Sequence, residues 1–204
     1  VSYPITSALV DGGFSHPEFV QFTEKLVGEN RTTGANQSEE YLGYTRLNLQ
    51  RMGRWNKTSK VSAPLEQLMG TVNRPQVWLL ITEAWCGDGA QSIPHLAKLA
   101  ALNSLISLKI VLRDEHTELM DAYLTNGARS IPKLIAITAD LQQELFTWGP
   151  KPQYLLDRHA AFKQNPEGLS YLEFKEQVHL WYAKNKQKDL ESEMYPLISS
   201  TLIP

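Results

Sequence analysis

The chain has 204 residues, enough for one ordinary domain with an appendage and for a core that needs neither disulfide nor metal. Apolar residues make up 42% and charged residues 21%, with a net charge of −2, which excludes a disordered or fibrous chain and gives no electrostatic pull toward nucleic acid. No apolar run reaches the roughly 20 residues of a membrane span. Residues 1–6 lack the basic start and apolar run of a leader, so a cytoplasmic location is expected, with earlier removal of an export signal left open.

Residues 1–60 read as a helical preface. Ser15 is an N-cap for a helix carrying Phe19, Phe22 and Leu26 at three- and four-residue spacing, which should stop before the Thr32–Asn36 loop. Ser38 caps a second helix with Glu39 and Glu40 in its first turn, where negative charge suits the dipole. Tyr41, Tyr44, Met52 and Trp55 share one face of it and are expected to pack on the rest of the chain. Arg51, Arg54 and Lys57 fall in its last turns, where complementing the helix C-terminus and solvating an outer face accounts for them.

From about residue 76 the periodicity changes. Residues 77–81 form a short continuous apolar run, the pattern of a strand buried on both faces. An amphipathic helix with Ile93, Leu96, Leu99 and Ala100 follows, then a strand over 105–112. Asp114 is expected to cap a helix reaching Asn126–Gly127. Residues 134–137 make a third strand, 139–142 a turn, and 144–148 an antiparallel return. This βαβαββ order predicts a mixed sheet flanked by helices. Beyond Gly149–Pro150 the chain reads as helical again. One segment ends before Asn165–Gly168, and a longer one runs from about Ser170 past Lys188.

Cys86 is the only cysteine, which rules out an intrachain disulfide, a dithiol couple and a multi-cysteine zinc site. It falls where the first strand gives way to its helix, and orphan backbone N–H groups there favour thiolate. Asp88 opposes them with a second negative charge. Gly87 and Gly89 leave the backbone open to close approach. His95, nine residues on, points to the other side of the helix, and His16, His116, His159 and His179 have no partner at metal-ligand spacing. Asp114-Glu115-His116 with Glu118 is explained by helix capping more simply than by a cation.

Trp85-Cys86-Gly87-Asp88-Gly89 resembles the Trp-Cys-Gly-Pro-Cys motif of thioredoxins, with Asp88 in place of proline and Gly89 in place of the resolving cysteine. Pro94 falls where that family carries a proline inside the active-site helix, and Asn126–Pro132 resembles the segment leading to the family's cis-proline. Thr33-Gly34-Ala35-Asn36-Gln37, the 81–88 and 111–115 stretches and the 120–127 stretch are similar to a bacterial branch whose members often lack the second cysteine. The resemblance implies a central mixed sheet flanked by helices: an α/β thioredoxin-like domain over 61–165, with N-terminal (1–60) and C-terminal (166–204) helical extensions. It also implies Cys86 as nucleophile, Asp88 or Glu83 handling protons, and Trp85, Gly87, Gly89, Ile131 and Pro132 holding the substrate.

Leu80 stands where thioredoxins bury a carboxylate, so the dithiol mechanism is excluded and one-thiol chemistry is left. Cys86 would attack a protein or low-molecular-weight disulfide, and an external thiol would resolve the product. Trp148-Gly149-Pro150 lacks the glycine pair by which single-cysteine glutaredoxins hold glutathione. No cofactor, metal, nucleic-acid or membrane partner is expected. The alternative is a binding module in which the groove above Cys86, Trp85 and Pro132 holds a peptide without turnover. The last helix, with Tyr171, Phe174, Trp181 and Tyr182, either covers the domain or joins a second copy in a homodimer.

Overall fold

A computed structural model describes residues 5–202; Val1–Pro4, which carry most of the segment read for a leader, lie outside them, as do Ile203 and Pro204. Four strands form one sheet in the order β2-β1-β3-β4, with β1 at Gln76–Thr82, β2 at Ile106–Leu112, β3 at Lys133–Thr138 and β4 at Glu144–Trp148. β1 runs parallel to β2 and antiparallel to β3, and β3 pairs antiparallel with β4. The parallel pair demands a crossover, which the helix α5 at Gly87–Ala101 supplies. Every residue of β1 is buried. Trp78 and Leu80 enter one core with Met52, Ile93 and Leu96, while Val77, Leu79 and Ile81 enter the other with Leu119, Met120 and Ile135. That two-sided burial is why the strand reads as an unbroken apolar run.

Before the sheet come α1 (Ser7–Gly12), α2 (His16–Gly28), α3 (Glu39–Thr58) and α4 (Ala63–Thr71). Ser15 and Glu18 form a reciprocal capping box on α2, and Ser38 caps α3 through the Tyr41 N–H. α1 falls within the expected helical preface without having been singled out, and α4 was not anticipated. Leu65, Leu68 and Met69 of α4 are buried, with Pro64 in its first turn.

Three expectations are corrected. The helix expected from Asp114 is only α6, Thr117–Ala122, and begins after His116. Asp114 does not cap it: its N–H donates to Glu83 and its carboxylate accepts from Arg113. Asn126 and Gly127 sit in the left-handed region inside a turn closed by Thr125 and Ala128, so no helix reaches them. The long final helix is two. Lys186 and Gln187 are both left-handed, separating α8 (Tyr171–Asn185) from α9 (Lys188–Ser200). Gln187 spends its side chain on a buried hydrogen bond to the Gln91 carbonyl, 2.7 Å away, which anchors the break. The helix α7, Gln153–Gln164, precedes them. Among the described residues no helix is long and apolar enough to cross a membrane.

Candidate functional site

Cys86 is the N-cap of α5, at the C-terminal end of β1. Its Sγ accepts the Gly89 N–H at 3.3 Å and its thiol donates to the Ile131 carbonyl at 3.3 Å. The Ile131–Pro132 peptide is cis, as is Gly149–Pro150. The backbone is close-packed beside the thiol: a Cβ at Gly89 would stand 2.6 Å from Thr82 Oγ1 and force a shift, while one at Gly87 would press on the His179 ring at 3.1 Å. Cys86, Gly87, Gly89, Ile131 and Pro132 therefore come together. Trp85 is half-buried beside them, but its ring packs against Tyr41 at 5.1 Å and under the Arg113 guanidinium at 4.8 Å.

Asp88 lies one residue into α5 and half-buried. One carboxylate oxygen accepts from Tyr182 Oη at 2.8 Å and the other pairs with Lys151 Nζ at 2.7 Å. Around this pair stand His159, 3.2 Å from Lys151, and His179, 3.2 Å from the buried Gln91. Burial pushes both imidazoles down to about 4, helped by Lys151 for His159 and by Arg51 for His179, so both are neutral at neutral pH.

The largest influence on the thiol is burial, not the helix start. Cys86 is 6% exposed, and burial pushes it up to about 12; the Asp88 carboxylate adds to the rise, while the Gly89 N–H and Lys151 pull the other way. The thiolate-favouring helix start is outweighed. Asp88→Asn is expected to lower the thiol toward its ordinary value and raise its alkylation rate at pH 9 about tenfold or more. Loss of alkylation rate in that variant would contradict the assigned direction.

The other site residues are placed as follows. Glu83 is buried, its carboxyl held by the Asp114 N–H and pushed up by burial. Its carboxyl contacts lie on the Thr33–Asp114 side. Leu80 is fully buried in the core. His95 pairs with Ser59 and Glu191, away from the thiol. Arg51 corrects the outer-face expectation, while Arg54 and Lys57 are exposed as expected. Arg51 donates to Asn48 and stands beside Gly87, and Arg54 lies over Trp55 and reaches Gln91, because α3 packs along α5 through Asn48 and Trp55. Lys151 was not singled out, and Tyr182 and His179 were named only as a covering aromatic and an unpartnered histidine, since only tertiary packing brings all three to Asp88. Among the described residues no three His, Cys, Asp or Glu side chains converge as a metal would require.

The family described as thioredoxin matches residues 34–163. No curated protein matches. Among solved structures, a protein of unknown function from Pseudomonas aeruginosa is 16% identical over 97% of this chain and 99% of its own, with a TM-score of 0.60. An HIV epitope-scaffold is 17% identical over 96% of this chain and 98% of its own, again with a TM-score of 0.60. At such identities the structural likeness concerns the fold alone.

Proposed function

The chain belongs to the thioredoxin family, and from that we propose that it is a single-cysteine thiol–disulfide oxidoreductase of the kind found in the bacterial branch. In this reading the Cys86 thiolate attacks a disulfide of a protein or small thiol. One half of the disulfide leaves as thiolate, a mixed disulfide with Cys86 forms, and an external thiol displaces the second half and restores Cys86. The observation that carries the proposal is the seating of Cys86 Sγ between the Gly89 N–H and the Ile131 carbonyl, at the start of a 15-residue helix. The N–H stabilises developing negative charge on sulfur, and the Ile131–Pro132 backbone offers an edge for an extended substrate segment. Asp88, tied to Lys151 and Tyr182, is the carboxylate whose charge acts on the thiol and in this reading takes its proton.

A thiol at about 12 is ionised to roughly one part in a hundred thousand at pH 7, so exchange needs a more open site than the one described. That same burial favours a second reading, a peptide- or protein-binding module that does not turn over. Cys86→Ser separates them. Under the first reading the variant loses all exchange with a small mixed disulfide in the presence of an external thiol; under the second, the native protein exchanges no faster than a free thiol and the variant keeps partner binding.

A further inference from the structure

We infer that α7 and α8 form a lid over Cys86 that swings away as one unit while α9 stays docked, an inference that rests on Cys86 being the working group of the site. The hairpin has an apolar core of its own. Leu155, Phe174, Val178 and Tyr182 make a cluster separate from the two that line the sheet, and Phe162 stacks on Phe174 at 4.2 Å.

Its ties to the body are mainly polar. Tyr182 and Lys151 hold Asp88, His179 meets Gln91, and Lys175 donates to Tyr44 Oη at 2.8 Å. Such contacts are exchanged for water on opening at a modest net cost each, whereas separating buried apolar faces costs in proportion to area. α9 is of the second kind. Leu190, Met194 and Ile198 enter the main core, and Glu193 and Glu191 accept from Trp148 and His95.

Both ends of the hairpin are fixed to the body, so the movement is confined to the segment between them. Gly149, at φ +109°, lies just before it, and the left-handed Lys186–Gln187 pair lies just after it. Gln187 is itself fixed to α5 through the Gln91 carbonyl, which anchors the α9 side of the break. The hairpin's ties to α9 itself are polar, Asn185 with Asp189 and the Gln153 N–H to Glu193 at 2.7 Å, and are exchanged for water on opening. What the lid covers is the mouth of the site: His179 closes on Gly87 and Tyr182 on Asp88. Opening uncovers Gly87 and Asp88 and admits a reagent to the thiol from that side, while the sheet-side packing of Cys86 against Ile81 and Ile131 stays.

The test is native-state labelling of Cys86 with an aromatic disulfide reagent across low urea concentrations, alongside amide hydrogen exchange of the same protein. Labelling insensitive to low urea, with the amides of α7 and α8 exchanging together and before those of α9 and β1, is the expected result. Tyr182→Phe removes a hydrogen bond to a charged group and should speed labelling about ten- to a hundredfold. Lys175→Met, away from the thiol, should speed it a few-fold. Labelling that occurs only through global unfolding, with α8, α9 and β1 exchanging as one, overturns the lid, as does an unchanged rate in both variants. Fast labelling of Tyr182→Phe without catalysed disulfide exchange leaves the lid standing and overturns the oxidoreductase reading instead.

Discussion

Raising the pH from 8 to 11 is expected to cost the native chain about 3 kcal/mol more stability than it costs the Cys86→Ala variant. In the folded protein the thiol keeps its proton to about 12, against an ordinary 9.0, because it is buried and faces Asp88. Between those two values the unfolded chain has released this proton and the folded chain has not. The unfolded state then binds fewer protons, and stability falls with pH at about 1.4 kcal/mol per unit. The contribution is present in full below pH 9 and is lost as pH climbs toward 12. Tyr182, also raised by burial and by Asp88, adds to the alkaline loss in both proteins and largely cancels in the comparison. Urea midpoints measured under reducing conditions at pH 8, 9, 10 and 11 would show the two curves separating. Parallel curves would mean that the folded thiol titrates as freely as the unfolded one. Cys86 would then be open to reagents without any movement of α7 and α8.

The parts of the fold that were legible in sequence are those set by local periodicity and local caps. The 77–81 run had to be a doubly buried strand, and Ser15, Ser38 and the turn before 144–148 carry their geometry in adjacent residues. α4 had a signal too, Pro64 followed by Leu65, Leu68 and Met69, but nine residues are too few for periodicity to stand out. The overlong helix after Asp114 and the unbroken one after Ser170 failed for different reasons. Asn126–Gly127 announces a turn by residue type, but that turn is closed locally by Thr125 and Ala128 and is separate from the short α6. Lys186 and Gln187 are left-handed where residue type does not announce it, and the Gln187 side chain is held by the Gln91 carbonyl. The site divides along the same line. Cys86, Gly87 and Gly89 are neighbours in sequence, and the Ile131–Pro132 strand entry was reached through the family resemblance. The chemistry around Asp88 comes from Lys151, His179 and Tyr182, the last 94 residues away, and the direction of the Cys86 shift depends on what covers it. Burial, the largest cause, is set by tertiary packing that neither the helix start nor the Asp88 carboxylate reports.

Gly149→Ala is expected to destabilise the chain by about 3 kcal/mol or more, the upper part of the range for forcing a side chain into a forbidden backbone region. Gly149 follows β4 directly, and the pairing of Leu134 with Trp148 brings it against the Pro132 loop. Its φ of +109° suits glycine, and a Cβ there would stand 2.3 Å from the Pro132 carbonyl oxygen and 3.2 Å from its carbon. The obstacle is backbone, so no rotamer relieves it. Gly53→Ala makes the contrast. It lies within α3 with nothing inside 4 Å of the added atom and should stabilise by roughly 0.5–1 kcal/mol. Urea midpoints of the two variants should therefore move in opposite directions. The more telling readout is Cys86 labelling in Gly149→Ala under conditions where the variant is still folded. Displacing Pro132 shifts the Ile131 carbonyl that accepts the thiol's hydrogen bond, and Gly149 leads into Lys151 and the start of α7. A rise in labelling larger than the loss of global stability explains would tie Gly149 to both walls of the site. A rise that global stability accounts for would confine its role to packing β4 against the Pro132 loop.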